Sequence, residues 1–290
     1  MKRQITLMAA TLAAISSCTM HEMDIPGIGE GEETVKVQVV PSIRGLEEVT
    51  TRSSVTSGES AVNDINIFFY RDGLLAASEY ITTPSVATFL LAKDVPYNVY
   101  AVANAGRIDP ISKESDMLSY RMSLGSSGFV GTLNGLGVPM VWSREGYTPS
   151  GSLAQLPVSL VRLVSKIRFR IDTDALAGLR VTAVRLCNGA AAVTPFRMNG
   201  HGGSKVTSAS EVTTGDYASD SDLQSLNAGG EVYFYALENC QGTLLPGNTD
   251  PWKKIPSSIS VADLCTYLEV DCEFQGVFAL AGTFPYRIYH

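Results

Sequence analysis

The chain has 290 residues, of which 18% are charged and 8% aromatic, and its formal net charge at pH 7 is −7. This length and composition predict two medium-sized globular domains. The excess of acidic residues argues against nucleic acid as a partner, because nucleic acid carries charge of the same sign.

The first 18 residues, MKRQITLMAATLAAISSC, have the features of an export signal. Two basic residues precede the apolar run Ile5–Ile15, which is too short to span a bilayer and is typical of a secretory signal peptide over residues 1–17. Small residues before Cys18 suit a lipoprotein signal peptidase, so we expect Cys18 to be the lipidated N-terminus of the mature chain. The alternative is a plain secretory signal with an incidental cysteine. No later apolar run approaches the length of a transmembrane helix, so the lipid is the expected membrane attachment.

Four cysteines remain after Cys18, namely Cys187, Cys240, Cys265 and Cys272. In an exported protein they permit three pairings, between which the sequence does not choose. None lies in a CxxC unit and histidine is scarce, so a zinc site is not expected. We interpret them as buried thiols or at most one disulfide.

The segment after the lipidation site predicts a tether followed by a strand. Residues 18–33 are acidic and rich in Gly and Pro, which is typical of a flexible, disordered spacer. Thr34–Val40 alternates valines with polar residues and predicts a strand with one buried face. The loop Pro41–Gly58 follows and places Arg52 and Ser53 among small polar residues, within reach of a trypsin-like protease.

The rest of the chain predicts an all-β protein, with a first domain over residues 34–165 and a second over 166–290. Asp72-Gly73 predicts a tight hairpin, and Ser112–Leu124 is the best helix candidate. Asn188–Asp222 is predicted to be a long polar loop. The run Gln155–Ile171 is expected to bridge the two domains. The remaining predicted strands are Ala61–Tyr70, Leu74–Thr82, Val86–Ala92, Tyr97–Ala103, Val138–Trp142, Leu179–Cys187, Glu231–Leu237, Ala262–Phe274 and Phe284–Tyr289.

Catalytic constellations are missing from the sequence. The stretch Asn199–Thr207 contains glycines and a lysine but fails the spacing of a phosphate-binding loop. Only His201 could act as a general base in the folded body, so we expect no enzyme, no catalytic or metal-binding residue and no cofactor. Trp142 and Trp252 are interpreted as core or domain-seam residues in preference to a sugar-stacking platform.

Several stretches, in order along the chain, resemble the fimbrillin-type subunits of Bacteroidales, which build and anchor type V pili. The matching pieces are the junction at Cys18, Thr51-Arg52-Ser53, Val62–Gly73, Tyr97–Asn104, Val138-Pro139-Met140, Val158–Ile171, Tyr235–Gly242 and Tyr286–Tyr289. The resemblance implies two tandem transthyretin-like β-sandwich domains. It also implies a structural subunit or anchor of a surface fimbrium that mediates cell adhesion at the cell outer membrane.

The resemblance further implies a mode of assembly. An arginine-specific protease would cleave between Arg52 and Ser53 and remove the N-terminal strand, and a strand of another pilin subunit would fill the vacated groove. Family members usually continue beyond the Tyr-Arg-Ile-Tyr segment, whereas this sequence stops at His290. We therefore expect a truncated second sandwich with an open edge beside Phe284–Tyr289, able to accept a strand. The alternative function is a non-catalytic surface lipoprotein that binds glycans.

Overall fold

The computed structural model describes residues 28–29, 31–43, 61–82, 86–123, 137–172, 178–196, 205–213, 218–274 and 286–289. Strands dominate these residues and helices are few, which confirms the all-β prediction. None of the helices in the described part of the chain is long and apolar enough to cross a membrane.

The first half of the chain forms a seven-stranded sheet in the order β3-β2-β5-β7-β8-β1-β4. Its strands are β1 (Thr34–Ile43), β2 (Ile65–Arg71), β3 (Leu74–Ile81), β4 (Ala87–Ala92), β5 (Tyr97–Ala103), β7 (Met140–Tyr147) and β8 (Leu153–Arg162), with α1 (Glu114–Leu118) and the short β6 (Met122–Ser123) between β5 and β7.

This sheet folds over so that its two ends share one core. β7 and β8 are paired through only two residue pairs, and the sheet turns there. The ring of Phe69 on β2 lies 4.7 Å from that of Phe89 on β4, although the two strands are far apart in the sheet order. Buried side chains from β1, β2, β4, β5, β7 and β8 join in the same cluster, so apolar burial holds the two layers together.

Local sequence explains the turns of this half. Asp72 and Gly73 both have positive φ, 52° and 77°, as the tight turn between β2 and β3 requires. Asn104, with a φ of 58°, closes β5 and donates from its side-chain amide to the carbonyls of Ala61 and Val138. The turn is therefore fixed by buried hydrogen bonds, which are costly to leave unmade.

The second half has its own core. A three-stranded sheet, β10-β15-β16, packs against the pair β14-β9 and a helix, α2, whose Leu226 is fully buried. The elements of this half are β9 (Val164–Arg170), β10 (Leu179–Cys187), β11 (Gly189–Ala190), β12 (Ala192–Val193), β13 (Val212–Thr213), α2 (Asp220–Asn227), β14 (Glu231–Leu237), β15 (Tyr267–Phe274) and β16 (Tyr286–Tyr289). Within the described residues β16 is paired on one side, with β15, and the expected open edge stays a prediction.

A third apolar cluster joins the two halves. Phe68 and Tyr70 point away from the first core and pack with Phe196, Val206 and Leu237 of the second half. β2 is consequently buried on both faces, which explains why its sequence, INIFFYR, is apolar almost throughout.

Several sequence-based predictions need correction. The helix expected over Ser112–Leu124 is only the five-residue α1, followed by β6. The predicted loop Asn188–Asp222 contains three short strands and the start of α2, which is capped by reciprocal bonds between Ser219 and Asp222. The strand expected from Ala262 begins only at Tyr267, because Ala262–Leu264 forms a 3₁₀ turn.

Two further predictions were closer. The run Gln155–Ile171 is two strands, β8 and β9, that break at Leu163, and it does connect the two sheet systems. Strand β5 has the bounds that the sequence predicts, and so do β10 and β14.

Candidate functional site

The first strand, β1, is an interior strand of its sheet. It pairs antiparallel with β4 over Thr34–Val39, and parallel with β8 over Lys36–Ile43. Its neighbour β4 is the edge of the sheet. The predicted strand Thr34–Val40 is thus confirmed, and it continues for three more residues.

One face of β1 is an apolar row. Val35, Val37 and Val39 are between 0% and 1% exposed and belong to the first core, whereas Lys36 between them is exposed. On either side stand the buried residues of the neighbouring strands, which are Ala87, Phe89 and Leu91 on β4 and Leu156, Val158 and Leu160 on β8. β1 therefore fills a groove whose walls and floor are apolar.

Two ion pairs hold the start of β1. The carboxylate of Glu32 accepts two hydrogen bonds from the Arg71 guanidinium, both 2.7 Å long, and a third from the Gly29 N–H. The hydrogen bonds from Arg71, and then that from Gly29, lower the pKa of Glu32 to about 2. Glu33 pairs with Lys93 at 2.7 Å, and the Lys93 N–H donates to the Glu33 carbonyl at 2.8 Å.

These contacts correct the prediction that the acidic spacer is disordered up to Glu33. Its last residues, Glu32 and Glu33, are tied to the ends of β2 and β4. Sequence reasoning missed Arg71 and Lys93 as partners of this segment. The available signal for these ion pairs was the acidic pair Glu32-Glu33 directly before β1, together with a basic residue at the end of β2 and another just after β4.

The end of β1 is held differently. The described pairing with β4 ends at Val39, and among the described residues Val40–Ile43 pairs with β8. Pro41 and its neighbour Pro157 on β8 have no N–H to donate. The Ser42 hydroxyl adds only a 3.4 Å contact to the Val158 carbonyl.

The predicted modification sites lie outside the described residues. This applies to Cys18, to Arg52 and Ser53, and also to His201. In the sequence, Arg52 lies between Ile43, the end of β1, and Ile65, the start of β2. The residues between Ile43 and Ile65 are thus the covalent link from β1 to β2 and the rest of the protein.

The four remaining cysteines form no disulfide. Cys187 and Cys265 are buried, as predicted, but Cys240 is exposed. Burial is the main cause that raises the pKa of Cys240, Cys265 and Cys272, so their thiols are held in the protonated, less reactive form. Within the described ranges no group of three His, Cys, Asp or Glu residues could hold a metal ion.

The two tryptophans differ in environment. Trp142 on β7 is partly buried, packs against the first core and lines a cavity of about 590 Å³ with Ser159 and Phe196. Trp252 is 73% exposed, in a 3₁₀ turn of the loop between β14 and β15. The core or domain-seam interpretation is therefore wrong for Trp252.

No protein-family model matches the sequence, and no curated protein matches it. The solved structures that it is similar to include Bacteroidales fimbrillins, fimbrial anchor proteins and proposed adhesins. A proposed cell adhesion protein from Bacteroides eggerthii is 16% identical, with a TM-score of 0.52, over 91% of this chain and 81% of that one. A fimbrilin from Porphyromonas gingivalis is 11% identical, with a TM-score of 0.49, over 88% and 80% of the two chains. A fimbrial assembly protein from Parabacteroides distasonis is 13% identical, with a TM-score of 0.45, over 89% and 85%. At 16% identity, the first of these likenesses establishes a shared fold.

Proposed function

We propose that this chain, which shares its fold with a proposed cell adhesion protein, is a structural subunit or anchor of a surface pilus and has no catalytic activity. In this proposal the two halves are tandem transthyretin-like sandwiches over residues 34–165 and 166–290. The observation that carries the proposal is β1, an interior strand joined to the body through one connection and seated in an apolar groove.

The groove makes β1 suitable for exchange. Removal of β1 would leave backbone N–H and C=O groups of β4 and β8 without partners and would expose the core side chains that its valines cover. A strand from another subunit could restore both ladders and place alternate apolar side chains in the same positions. The partners would therefore be further copies of this protein or other pilus subunits.

The proposed maturation would empty the groove that β1 occupies. Lipidation at Cys18 would hold the precursor at the outer membrane, and cleavage after Arg52 would cut the connection between β1 and β2. After the cut β1 would be retained by noncovalent contacts alone. An anchor subunit would keep β1 and remain uncut, whereas a polymerised subunit would start at Ser53.

Digestion with an arginine-specific protease tests this maturation. Mass spectrometry of the full chain should give a product that begins at Ser53, and Arg52→Gln should abolish that product. Arg44 lies in the same connection, so Arg44→Gln is the matched control and should leave the product unchanged. A resistant Arg52 together with cuts in the folded body would contradict the processing model.

Exposure of Trp252 favours a second candidate function, the binding of glycans by a surface lipoprotein. An exposed indole can stack on a sugar ring, since its flat apolar face matches the C–H groups of the ring. Retention on immobilised polysaccharides should then be lost in Trp252→Ala and kept in Trp252→Phe. Equal retention of both variants and the parent protein would exclude this role for Trp252.

A further inference from the structure

We infer that β1 leaves its groove from its C-terminal end, and that an incoming strand enters beside Pro157–Leu160 of β8 and advances toward Ala92 of β4. This inference rests on the proposed function, because it concerns the order of events in strand exchange. It follows from the unequal attachment of the two ends of β1.

The first six residues of β1 contain the part of the strand that is paired on both sides, Lys36–Val39. Thr34–Val39 faces β4, and from Lys36 onward the strand also faces β8. The three fully buried valines all lie in this part. Opening from this end would uncover the buried Val35 at the second residue and would break two ladders from Lys36 onward, which would be costly in free energy.

The start of β1 is also clamped by charge. The Glu32–Arg71 and Glu33–Lys93 pairs connect the residues just before the strand to the ends of β2 and β4. Each ion pair connects to a different strand, so release of β1 from this end would require both ion pairs to break. Ion pairs at such partly exposed positions are individually weak, but here they add to the pairing of Thr34 and Val35 with β4 and to the burial of Val35.

The last four residues of β1 are partly or fully exposed, and the described residues provide no ion pair at this end. Among the described residues Val40–Ile43 pairs with β8, in a stretch where each strand contains a proline. Val40 is 38% exposed, and Ile43 is the one residue of the four that packs against the first core. When this part frays, the uncovered backbone of β8 becomes the first pairing site for another strand.

The same end carries the cleavage connection. Cleavage after Arg52 would free the C-terminal end of the strand and leave its charged N-terminal end in place. The proposed cut therefore acts at the weakly held end.

Native-state hydrogen exchange of the intact full chain tests the direction without any cleavage. Val35 and Ser42 are each the second residue from an end of β1, so they form a matched pair. We expect the Ser42 amide to exchange at least about tenfold faster than the Val35 amide, after correction for intrinsic rates, because local opening reports unequal stability. Equal exchange, or faster exchange at Val35, would overturn the inference.

Peptide competition tests the entry point. The connection 44–60 is cut at an inserted site for an unrelated protease, so the result does not depend on Arg52. Two seven-residue peptides copying residues 34–40 and 37–43 then compete for the groove, and release of β1 is followed by mass spectrometry. We expect the 37–43 peptide to accelerate release in proportion to its concentration, and the 34–40 peptide to leave the rate unchanged.

The possible failures are distinguishable. Faster release with the 34–40 peptide would overturn the direction and keep strand exchange. If neither peptide accelerates release while hydrogen exchange shows the expected gradient, the direction of opening stands and the exchange mechanism of the proposed function fails. Resistance of Arg52 to proteolysis would affect only the processing step.

Discussion

Replacement of Val37 by alanine should measure how much β1 contributes to the first core. Val37 is completely buried and lies between Phe89 of β4 and Ala154 of β8. The change removes two carbon groups, worth about 0.8 kcal/mol each, and leaves a small cavity, so we expect a loss of about 2 kcal/mol in the free energy of unfolding. Lys36→Ala, at the exposed neighbouring position, should cost less than about 0.5 kcal/mol.

Urea unfolding followed by the fluorescence of Trp142 is the appropriate assay, because Trp142 packs against this core. Trp252 is replaced by phenylalanine in all variants so that one indole reports. Because the chain has more than one core, only the unfolding transition that Trp142 reports is analysed, without assuming that the whole chain unfolds in one step.

A second measurement separates the role of the strand from a general effect of the substitution. Once β1 has been cut off and removed, the parent protein and Val37→Ala should have identical unfolding midpoints, because the altered residue has left with the strand. Equal midpoints of Val37→Ala and Lys36→Ala in the uncut protein would refute the assignment of β1 as a core strand.

Three further outcomes are expected. Cys18→Ala should move the protein out of the membrane fraction of cells, and unchanged fractionation would contradict lipidation. Because the pKa of Glu32 is lowered from 4.5 to about 2, its contribution to stability is complete above pH 4.5 and is lost as the pH falls toward 2. Glu32→Gln should therefore remove this part of the pH dependence of the unfolding midpoint, which is measured between pH 5 and pH 3. A peptide copying the last strand of the Bacteroides eggerthii protein should raise the melting temperature by pairing with the open edge of β16, whereas a scrambled peptide should not.

Local sequence determined much of the strand inventory. Alternation of apolar and polar residues is visible wherever one face of a strand is buried, as in β1, and Asp72-Gly73 specifies its turn because few other pairs adopt two positive φ angles. The same logic failed for α2, whose sequence DSDLQSLN is mostly polar and buries one leucine against the second core. Its capping box, Ser219 with Asp222, was the available signal.

Strand pairing and charge pairing were decided by the tertiary structure. Nothing in the local pattern of β1 selects β8 as its parallel neighbour, because backbone hydrogen bonds can be made with any strand. Glu32 and Arg71 are likewise 39 residues apart in the chain and meet only after the sheet has formed. Trp252 is exposed, contrary to expectation, while Ile259 and Cys265 of the same loop are buried in a small cluster of their own. The sequence by itself thus determines which segments become strands, since periodicity is local, whereas the groove and its unequally held ends exist only once distant segments have been brought together.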